Sequence, residues 1–193
     1  MDKRTQILNA AESILAQHGF YAFSMHHLAE TAGVAAGTIY RYFENKEALM
    51  DALQAFIRKE AANDVFTGWE DSFTVKQKYD LMWNNVFNAV LANPKRLIVI
   101  EMLHCVPNIN QAKITLLDDI AFKRLIDFYQ QGVTTARFLD WQLLALMAVS
   151  FDTSINLAKR IIRNELTFDQ HELDQVREAS WAIIQNPNFN QQD

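Results

Sequence analysis

Apolar residues recur along this chain at the spacing of an α-helix instead of alternating as they do in a β-strand. In the first segment Ile7, Ala11 and Ile14 share one stripe of a helix that we expect to span about residues 3 to 18. Gly19 follows this stripe as a candidate C-cap. The chain therefore begins with an amphipathic helix.

Two short helices are predicted next, and they lie close together in the sequence. Ser24 is placed to N-cap the first of them, and Gly33 ends it. The helix that follows directs Ile39 and Phe43 to its inner side. Two short helices joined by a tight turn that contains glycine form a helix-turn-helix.

The remaining pattern is also helical. A fourth helix opens at Asn45-Lys46-Glu47 and runs to about Val65, and it would connect the head to the body. With only 5 glycines and 3 prolines, the sequence predicts an all-α fold of about nine helices. Asp140 and Asp169 are the expected N-caps of the last two. The helical patterns of the body cover roughly 75–92, 95–105, 109–131, 140–165 and 169–185.

This layout predicts two parts: a helix-turn-helix head over residues 1–46 and a body over residues 47–193. The formal net charge is −5, but the head carries as many basic as acidic side chains, so the body holds the excess. Cys105 is the single cysteine, which excludes an internal disulfide framework. The first residues lack the pattern of a signal peptide, and no run is apolar enough for a membrane span. We expect a cytoplasmic, soluble protein.

Hydrogen-bond donors collect on the outer side of the third helix. This side would be an unexplained exposed surface unless it faces a partner, and a DNA major groove would supply one. Glycine lets the backbone approach a phosphate, the hydroxyls donate hydrogen bonds, and a lysine at the start of helix four adds a cation. The residues concerned are Gly37, Thr38, Tyr40, Arg41, Tyr42 and Lys46.

Residues 4–50 closely resemble the head of the TetR family of transcriptional regulators, most specifically in the segment 28–50, LAETAGVAAGTIYRYFENKEALM. The resemblance implies a DNA-binding regulator, in most cases a repressor, and no catalytic residue, metal or cofactor. It places Gly37, Thr38, Tyr40, Tyr42 and Lys46 at positions that face DNA, with Tyr40 as the base contact. Ser24, His26 and His27 match the start of the second helix, where a hydroxyl binds phosphate. An arginine at this position could bind guanine through two hydrogen bonds, whereas neutral His26 offers one donor and one acceptor. Whether this position selects guanine is therefore left open.

The last two predicted helices carry the expectation of a homodimer. The segment that contains Trp141, Leu144 and Met147 is apolar almost all round, so it must be covered on two sides. Small residues at Ser150, Ser154 and Ala158 would then allow a partner helix to approach closely. We expect a two-fold four-helix bundle from 140–165 and 169–185 of both chains, as the resemblance also implies, and hence a palindromic double-stranded operator.

The middle helices hold the candidates for an effector site. Their aromatic and apolar residues line a pocket for an apolar or aromatic small molecule, or they are ordinary core, and the pattern leaves both interpretations open. An effector bound here would change the spacing of the two heads and release the DNA. The candidate lining residues are Trp83, Phe87, Met102, His104, Cys105, Phe122 and Phe151.

Two other classes of function compete with this interpretation. Glu101 and His104 form a Glu-x-x-His pattern of the kind that ligates metal in di-iron bundles, but those sites need two copies, and the chain has one. That alternative is a helical metal-binding protein or a small-molecule enzyme. A structural helical protein would keep the bundle but would not need the outward Thr38, Tyr40 and Tyr42.

Overall fold

The computed structural model describes residues 2–105, 117 and 119–189, and within α6 the side chains of His104 and Cys105 lie outside this part. The predicted all-α class is confirmed. The described residues form ten α-helices and a short 3-10 turn at Ile120–Phe122. The helices are α1 Lys3–His18, α2 Met25–Ala32, α3 Ala36–Tyr42, α4 Lys46–Val65, α5 Val75–Ala92, α6 Pro94–Cys105, α7 Lys123–Thr134, α8 Leu143–Val149, α9 Phe151–Ile162 and α10 Gln170–Ala182.

The helices belong to two compact units. In its described part, the first unit contains α1 to α3, α4 as far as Ala61, and α6, and the second contains α5 and α7 to α10. The chain therefore returns to the first unit after α5, which the predicted boundary at residue 46 did not anticipate. The functional division into 1–46 and 47–193 stays a prediction.

The core of the first unit is a single apolar cluster around α1. Ile7, Leu8 and Leu15 of α1 are completely buried, and Ile39 of α3 is buried against the same cluster. The contribution from α6 includes the buried Val99. A short helix such as α3 is stable only through such packing, since it is too short to hold its own shape in water.

An ion pair with little exposure ties α6 to α1 in this unit. The guanidinium Nε of Arg96 donates to Oε1 of Glu12 at 3.1 Å, and the two side chains are 19% and 11% exposed. Partial burial weakens solvent screening, so the two charges attract each other more strongly than those of a surface ion pair do. It fixes the first turn of α6 beside the middle of α1.

Buried tyrosine hydroxyls join the helices of the second unit. The hydroxyl groups of Tyr79 and Ser180 lie 2.7 Å apart and link α5 to α10, and those of Tyr129 and Ser150 are also 2.7 Å apart. Burial raises the pKa of both tyrosines well above the ordinary value of 10.0. Both phenols are therefore neutral at physiological pH, and hydrogen bonds satisfy them inside an aromatic core.

The predicted helix over 140–165 is interrupted in the structure. Ser150 adopts φ −124° and ψ −78° and separates α8 from α9. Its hydroxyl donates to the carbonyl of Leu146 at 2.6 Å, so a side chain takes a bond that helix backbone would otherwise make. The expected N-cap Asp140 is also wrong, because α8 begins after Gln142. Asp169 does cap α10, in a complete capping box with Glu172.

The helix predicted over 109–131 is only partly observed. Residues 106–116 and 118 lie outside the described residues, so the first part of this predicted helix is not described. The side chain of Asp119 accepts a hydrogen bond from the backbone of Ala121 at the start of the 3-10 turn, and α7 then runs Lys123–Thr134. Helix α7 thus ends three residues beyond the predicted limit.

Candidate nucleic-acid interface

The turn between α2 and α3 is fixed by its own backbone. Gly33 adopts φ 62° and ψ 37°, the left-handed conformation that favours glycine. Its N–H donates to the carbonyl of Glu30 at 3.1 Å, and the N–H of Val34 donates to the carbonyl of Ala29 at 3.0 Å. This pair of bonds is the Schellman motif, which ends a helix and redirects the chain. A side chain adds to it, since the Gln6 amide donates to the carbonyl of Ala32 at 2.8 Å.

Helix α3 packs one side into the core and leaves the other open. Ile39 is fully buried and Phe43, just after the helix, is 4% exposed. In contrast, Tyr40 is 55% exposed and Tyr42 is 44% exposed. Arg41 and Gly37 are also exposed, and no atom lies within 4 Å of a Cβ built on Gly37. Thr38 is half-buried at the edge of this surface.

The start of α2, which precedes α3 in the sequence, also presents polar groups. The hydroxyl oxygen of Ser24 accepts a hydrogen bond from the backbone N–H of His27 at 3.2 Å, which leaves its own proton free to be donated. His26 is exposed, with Nδ1 3.6 Å from Oε1 of Glu30. His27 is half-buried, and its ring centroid lies 5.5 Å from that of His18. Ser24 and His26 are thus accessible to a ligand, and His27 is less so.

Lys46 takes a position that sequence reasoning did not foresee. Its ammonium nitrogen donates to the carbonyl oxygen of Phe23 at 3.2 Å. The same nitrogen lies 4.2 Å from the ring centroid of Phe20 and 5.3 Å from that of Phe23. In the free protein this cation therefore holds the loop that precedes Ser24. Its predicted contact with phosphate stays a prediction, and the geometry favours a positioning role.

The candidate effector residues do not form one set. Trp83 is completely buried, stacks on Phe87 at 5.7 Å, and donates from Nε1 to Thr153 Oγ1 at 2.9 Å. Phe151 is buried in the same cluster of the second unit, and Phe122 packs against it. Met102 belongs elsewhere, because it packs on the core of the first unit. The side chains of His104 and Cys105 lie outside the described residues.

Comparison with known proteins identifies this arrangement. A model of bacterial regulatory proteins of the tetR family matches residues 7–53, and a model of a tetracyclin repressor-like C-terminal domain matches residues 74–185. The chain belongs to the TetR family. It is a transcriptional regulator with a DNA-binding helix-turn-helix, and its relatives are regulators and not enzymes.

Relatives and solved structures match this TetR-family regulator over nearly its whole length. A TetR family protein of Vibrio parahaemolyticus is 34% identical, with 95% of this chain and 99% of that chain covered and a TM-score of 0.86. An HTH-type transcriptional regulator of Haemophilus influenzae is 27% identical over 184 residues, which are 95% of this chain and 96% of the relative. The Bacillus subtilis regulator FadR, crystallised in complex with stearoyl-CoA, is 22% identical, with 93% of this chain and 98% of that chain covered and a TM-score of 0.73. The last likeness concerns the fold alone.

The stripe of small residues in the regulator does not serve the purpose that the sequence suggested. Ser150, Ser154 and Ala158 are all completely buried inside the single chain, where α9 packs against α5. The hydroxyl of Ser154 donates to the carbonyl of Phe151 at 2.7 Å. These side chains are already covered, so a partner molecule would have to contact other residues of α8 to α10. The close approach that small residues permit is made within the chain.

Two properties of the described part bear on the rival classes of function. Among residues whose side chains are described, no group of three or more His, Cys, Asp or Glu could hold a metal ion. Glu101 is exposed on α6, and the side chain of its predicted partner His104 lies outside that part. No helix in the described ranges is long and apolar enough to cross a membrane.

Proposed function

We propose that this regulator is a repressor that binds a palindromic operator as a homodimer and is released by an apolar or aromatic small molecule. The observation that carries the proposal is the outward face of α3, where Tyr40 and Tyr42 are exposed while Ile39 is fully buried. Two exposed aromatic side chains on one short helix form an apolar surface, and such a surface indicates a partner. DNA is the partner that fits the helix-turn-helix around it.

Each group at this surface has a distinct role in this proposal. Tyr40 contacts a base edge, Thr38 and Tyr42 donate hydroxyl protons to phosphates, and Ser24 donates to a phosphate from the start of α2. Arg41 adds a cation beside them. Gly37 lets the backbone of α3 come close to the DNA, since any side chain there would project into the open space in front of the helix.

Exposed apolar side chains support the dimer. Trp141 is 46% exposed and Leu144 is 51% exposed at the start of the α8 segment, and Ile183, just after α10, is 49% exposed. These residues belong to the two segments, 140–165 and 169–185, that the sequence selects for the interface. A two-fold pair would place two copies of α3 in successive major grooves, about 34 to 36 Å apart.

The aromatic core of the second unit supports an apolar effector. Trp83, Phe87, Phe122 and Phe151 remain the candidates, and Met102 is withdrawn because it packs in the first unit. The Bacillus subtilis regulator of the same fold was crystallised with stearoyl-CoA, a ligand with a long apolar chain. An effector that enters this cluster must displace packed side chains, which is a direct route to a change in helix position.

The operator-binding part is tested with DNA obtained by selection from a random pool. Tyr40→Ala should weaken binding by about tenfold or more in a gel shift, the loss of one base contact of about 1 to 3 kcal/mol. Ile98→Ala is the matched control, because Ile98 is 47% exposed on α6 in the same unit and outside the helix-turn-helix. Equal affinity of the two variants would contradict the proposed role of α3.

The release step needs a separate measurement. A promoter that overlaps the selected operator should be silenced by the protein and restored by an apolar or aromatic compound in a ligand screen. Trp83→Leu should then reduce the response to that compound more than it reduces affinity for operator DNA. A protein that activates the promoter, or whose DNA affinity no compound changes, would contradict this part of the proposal.

A further inference from the structure

A cleft opens in the first unit. Its volume is about 610 Å³, within the usual range of ligand sites, roughly 300 to 1,000 Å³. Three helices that are distant in sequence contribute to it, namely α1, α4 and α6. The lining residues are Arg4, Thr5 and Asn9 of α1, Ala52, Ala55, Phe56, Lys59 and Glu60 of α4, and Arg96 of α6.

The lining combines cations with a small apolar wall. Arg4, Lys59 and Arg96 are basic, and Glu60 is the only acidic residue that lines the cleft. Phe56 of α4 is half-buried and supplies an aromatic ring to the wall. When Glu12, the partner of Arg96, is counted as well, the cleft still has an excess of positive charge in a chain whose net charge is −5, which is a local reversal of sign. This reversal favours a negatively charged occupant.

Two of these cations already contact other side chains of the protein before any ligand arrives. The Nε of Arg96 is bound to Glu12 at 3.1 Å, so its guanidinium group has a fixed orientation. The guanidinium carbon of Arg4 lies 5.6 Å from the ring centroid of Phe43. Within the part of the chain that the structure describes, neither Arg4 nor Lys59 forms an ion pair. Preorganised cations lose little conformational freedom on binding an anion.

We propose that this cleft binds a small organic anion that carries a short apolar part. Arg4 and Lys59 hold the carboxylate or phosphate group beside the ion-paired Arg96, and the apolar part lies against Phe56. The site is separate from the effector site proposed in the second unit. An anion here bridges α1 and α4, and so it adjusts how α4 packs on the helix-turn-helix head.

Hexanoate is a suitable probe, with neutral hexanamide as its uncharged counterpart and inorganic phosphate as the anion without an apolar part. Titrated into the full-length ¹⁵N-labelled protein, hexanoate should shift the backbone amides of Thr5, Ala52 and Ala55, and hexanamide should not. Phosphate should shift the same amides more weakly. Equal effects of hexanoate and hexanamide, no effect of either anion, or shifts confined to the second unit would each overturn the proposal.

Lys59 supplies the decisive variant because its side chain is exposed and the core does not depend on it. Lys59→Gln should weaken hexanoate binding by about tenfold, as expected for a charge-assisted hydrogen bond, and Lys59→Arg should restore it. Lys95→Gln is the control, since Lys95 is exposed on α6 but does not line the cleft. A loss no larger than that of the control would overturn the proposal.

A backbone phosphate of DNA is the other source of the same anionic chemistry. The dependence of operator affinity on salt distinguishes the two, because each phosphate contact contributes a slope of about 0.9. Lys59→Gln should leave this slope unchanged if the cleft holds a small molecule. A slope reduced by about one would show that the DNA backbone occupies the cleft, and it would overturn the small-molecule site without affecting the proposed role of α3.

Discussion

The ammonium group of Lys46 donates a hydrogen bond of 3.2 Å to the backbone carbonyl of Phe23 and lies over the ring of Phe20 at 4.2 Å. One side chain at the start of α4 thus holds the loop between α1 and α2. Ser24, the N-cap of α2, follows directly after this loop. The position of the first DNA-facing hydroxyl therefore depends on a lysine 22 residues later in the chain.

This contact predicts an unusual result for Lys46→Gln. Operator affinity should fall about five- to tenfold, because the loss of the clamp releases the start of α2, while the slope of log affinity against log salt should stay the same. Lys46→Arg should recover most of the affinity. The measurement is a set of gel shifts between about 50 and 200 mM salt. A slope reduced by about one would mean that Lys46 contacts phosphate instead.

Gly132 of α7 is predicted to tolerate no larger residue. A Cβ built there would lie 2.1 to 2.7 Å from three ring atoms of Phe138, and that ring is enclosed by Phe128, Tyr129 and Trp181. Since the ring cannot move aside, Gly132→Ala should lower the free energy of unfolding by about 1 to 3 kcal/mol in urea denaturation.

Gly37→Ala is the control for this substitution, because Gly37 is also helical but has open space in front of it. Its stability should be unchanged or higher by up to about 1 kcal/mol. Its affinity for operator DNA should fall, since the new methyl group stands where the backbone approaches the duplex. A destabilised Gly37→Ala or an unaffected Gly132→Ala would contradict these packing assignments.

The buried tyrosines predict a loss of stability in alkali. Burial raises the pKa of Tyr79 and Tyr129 above the ordinary 10.0, so the unfolded chain loses these protons first as the pH rises. Their contribution is complete below pH 10 and declines above it, by about 1.4 kcal/mol per pH unit for each tyrosine. Denaturant titrations between about pH 9 and pH 11 measure this slope.

Tyr129→Phe should remove about half of that slope and still fold, since the Ser150 hydroxyl keeps its bond to the Leu146 carbonyl at 2.6 Å. Tyr21→Phe is the control, because Tyr21 is 100% exposed and meets the same solvent before and after unfolding. If Tyr21→Phe changed the slope as much as Tyr129→Phe, the buried hydroxyl pair would not be its cause.

The proposed dimer makes a prediction on the outer side of the second unit. Ile183→Glu should raise the dimer dissociation constant by at least about tenfold, because a charge would be buried without a partner at the interface. Ile98→Glu should have no effect, although Ile98 is similarly exposed, at 47% against 49%. Sedimentation equilibrium measures both. A dimer that is equally stable in both variants would exclude Ile183 from the interface.

Local sequence signals were sufficient to predict those helices whose ends are marked by capping residues in the sequence. Helix α1 spans Lys3–His18 as predicted, and Gly33 adopts the left-handed turn that a C-cap requires. Asp169 forms the expected capping box. The buried side of α3, with Ile39 and Phe43, also follows from the 3.6-residue period alone. These features depend on residues only a few positions apart.

Tertiary partners decided the features that sequence reasoning missed. No glycine or proline in the sequence signals the break at Ser150. The Ser150 hydroxyl is hydrogen-bonded to the hydroxyl of Tyr129, which is 21 residues away. The inward position of Lys46 depends on Phe20 and Phe23. The basic cleft joins Arg4, Lys59 and Arg96, which no local pattern connects. Periodicity shows which face of a helix is apolar but not what covers it.

Selection of DNA from a random pool by the purified full-length protein is the most direct test of the claim that two copies of the outward face of α3 bind DNA. We predict enrichment of an inverted repeat with half-site centres about 10 base pairs, or one helical turn, apart, and its loss when Tyr40 is replaced by alanine. A pool without any enriched sequence, or the same sequence enriched equally well by the Tyr40→Ala protein, would contradict that claim.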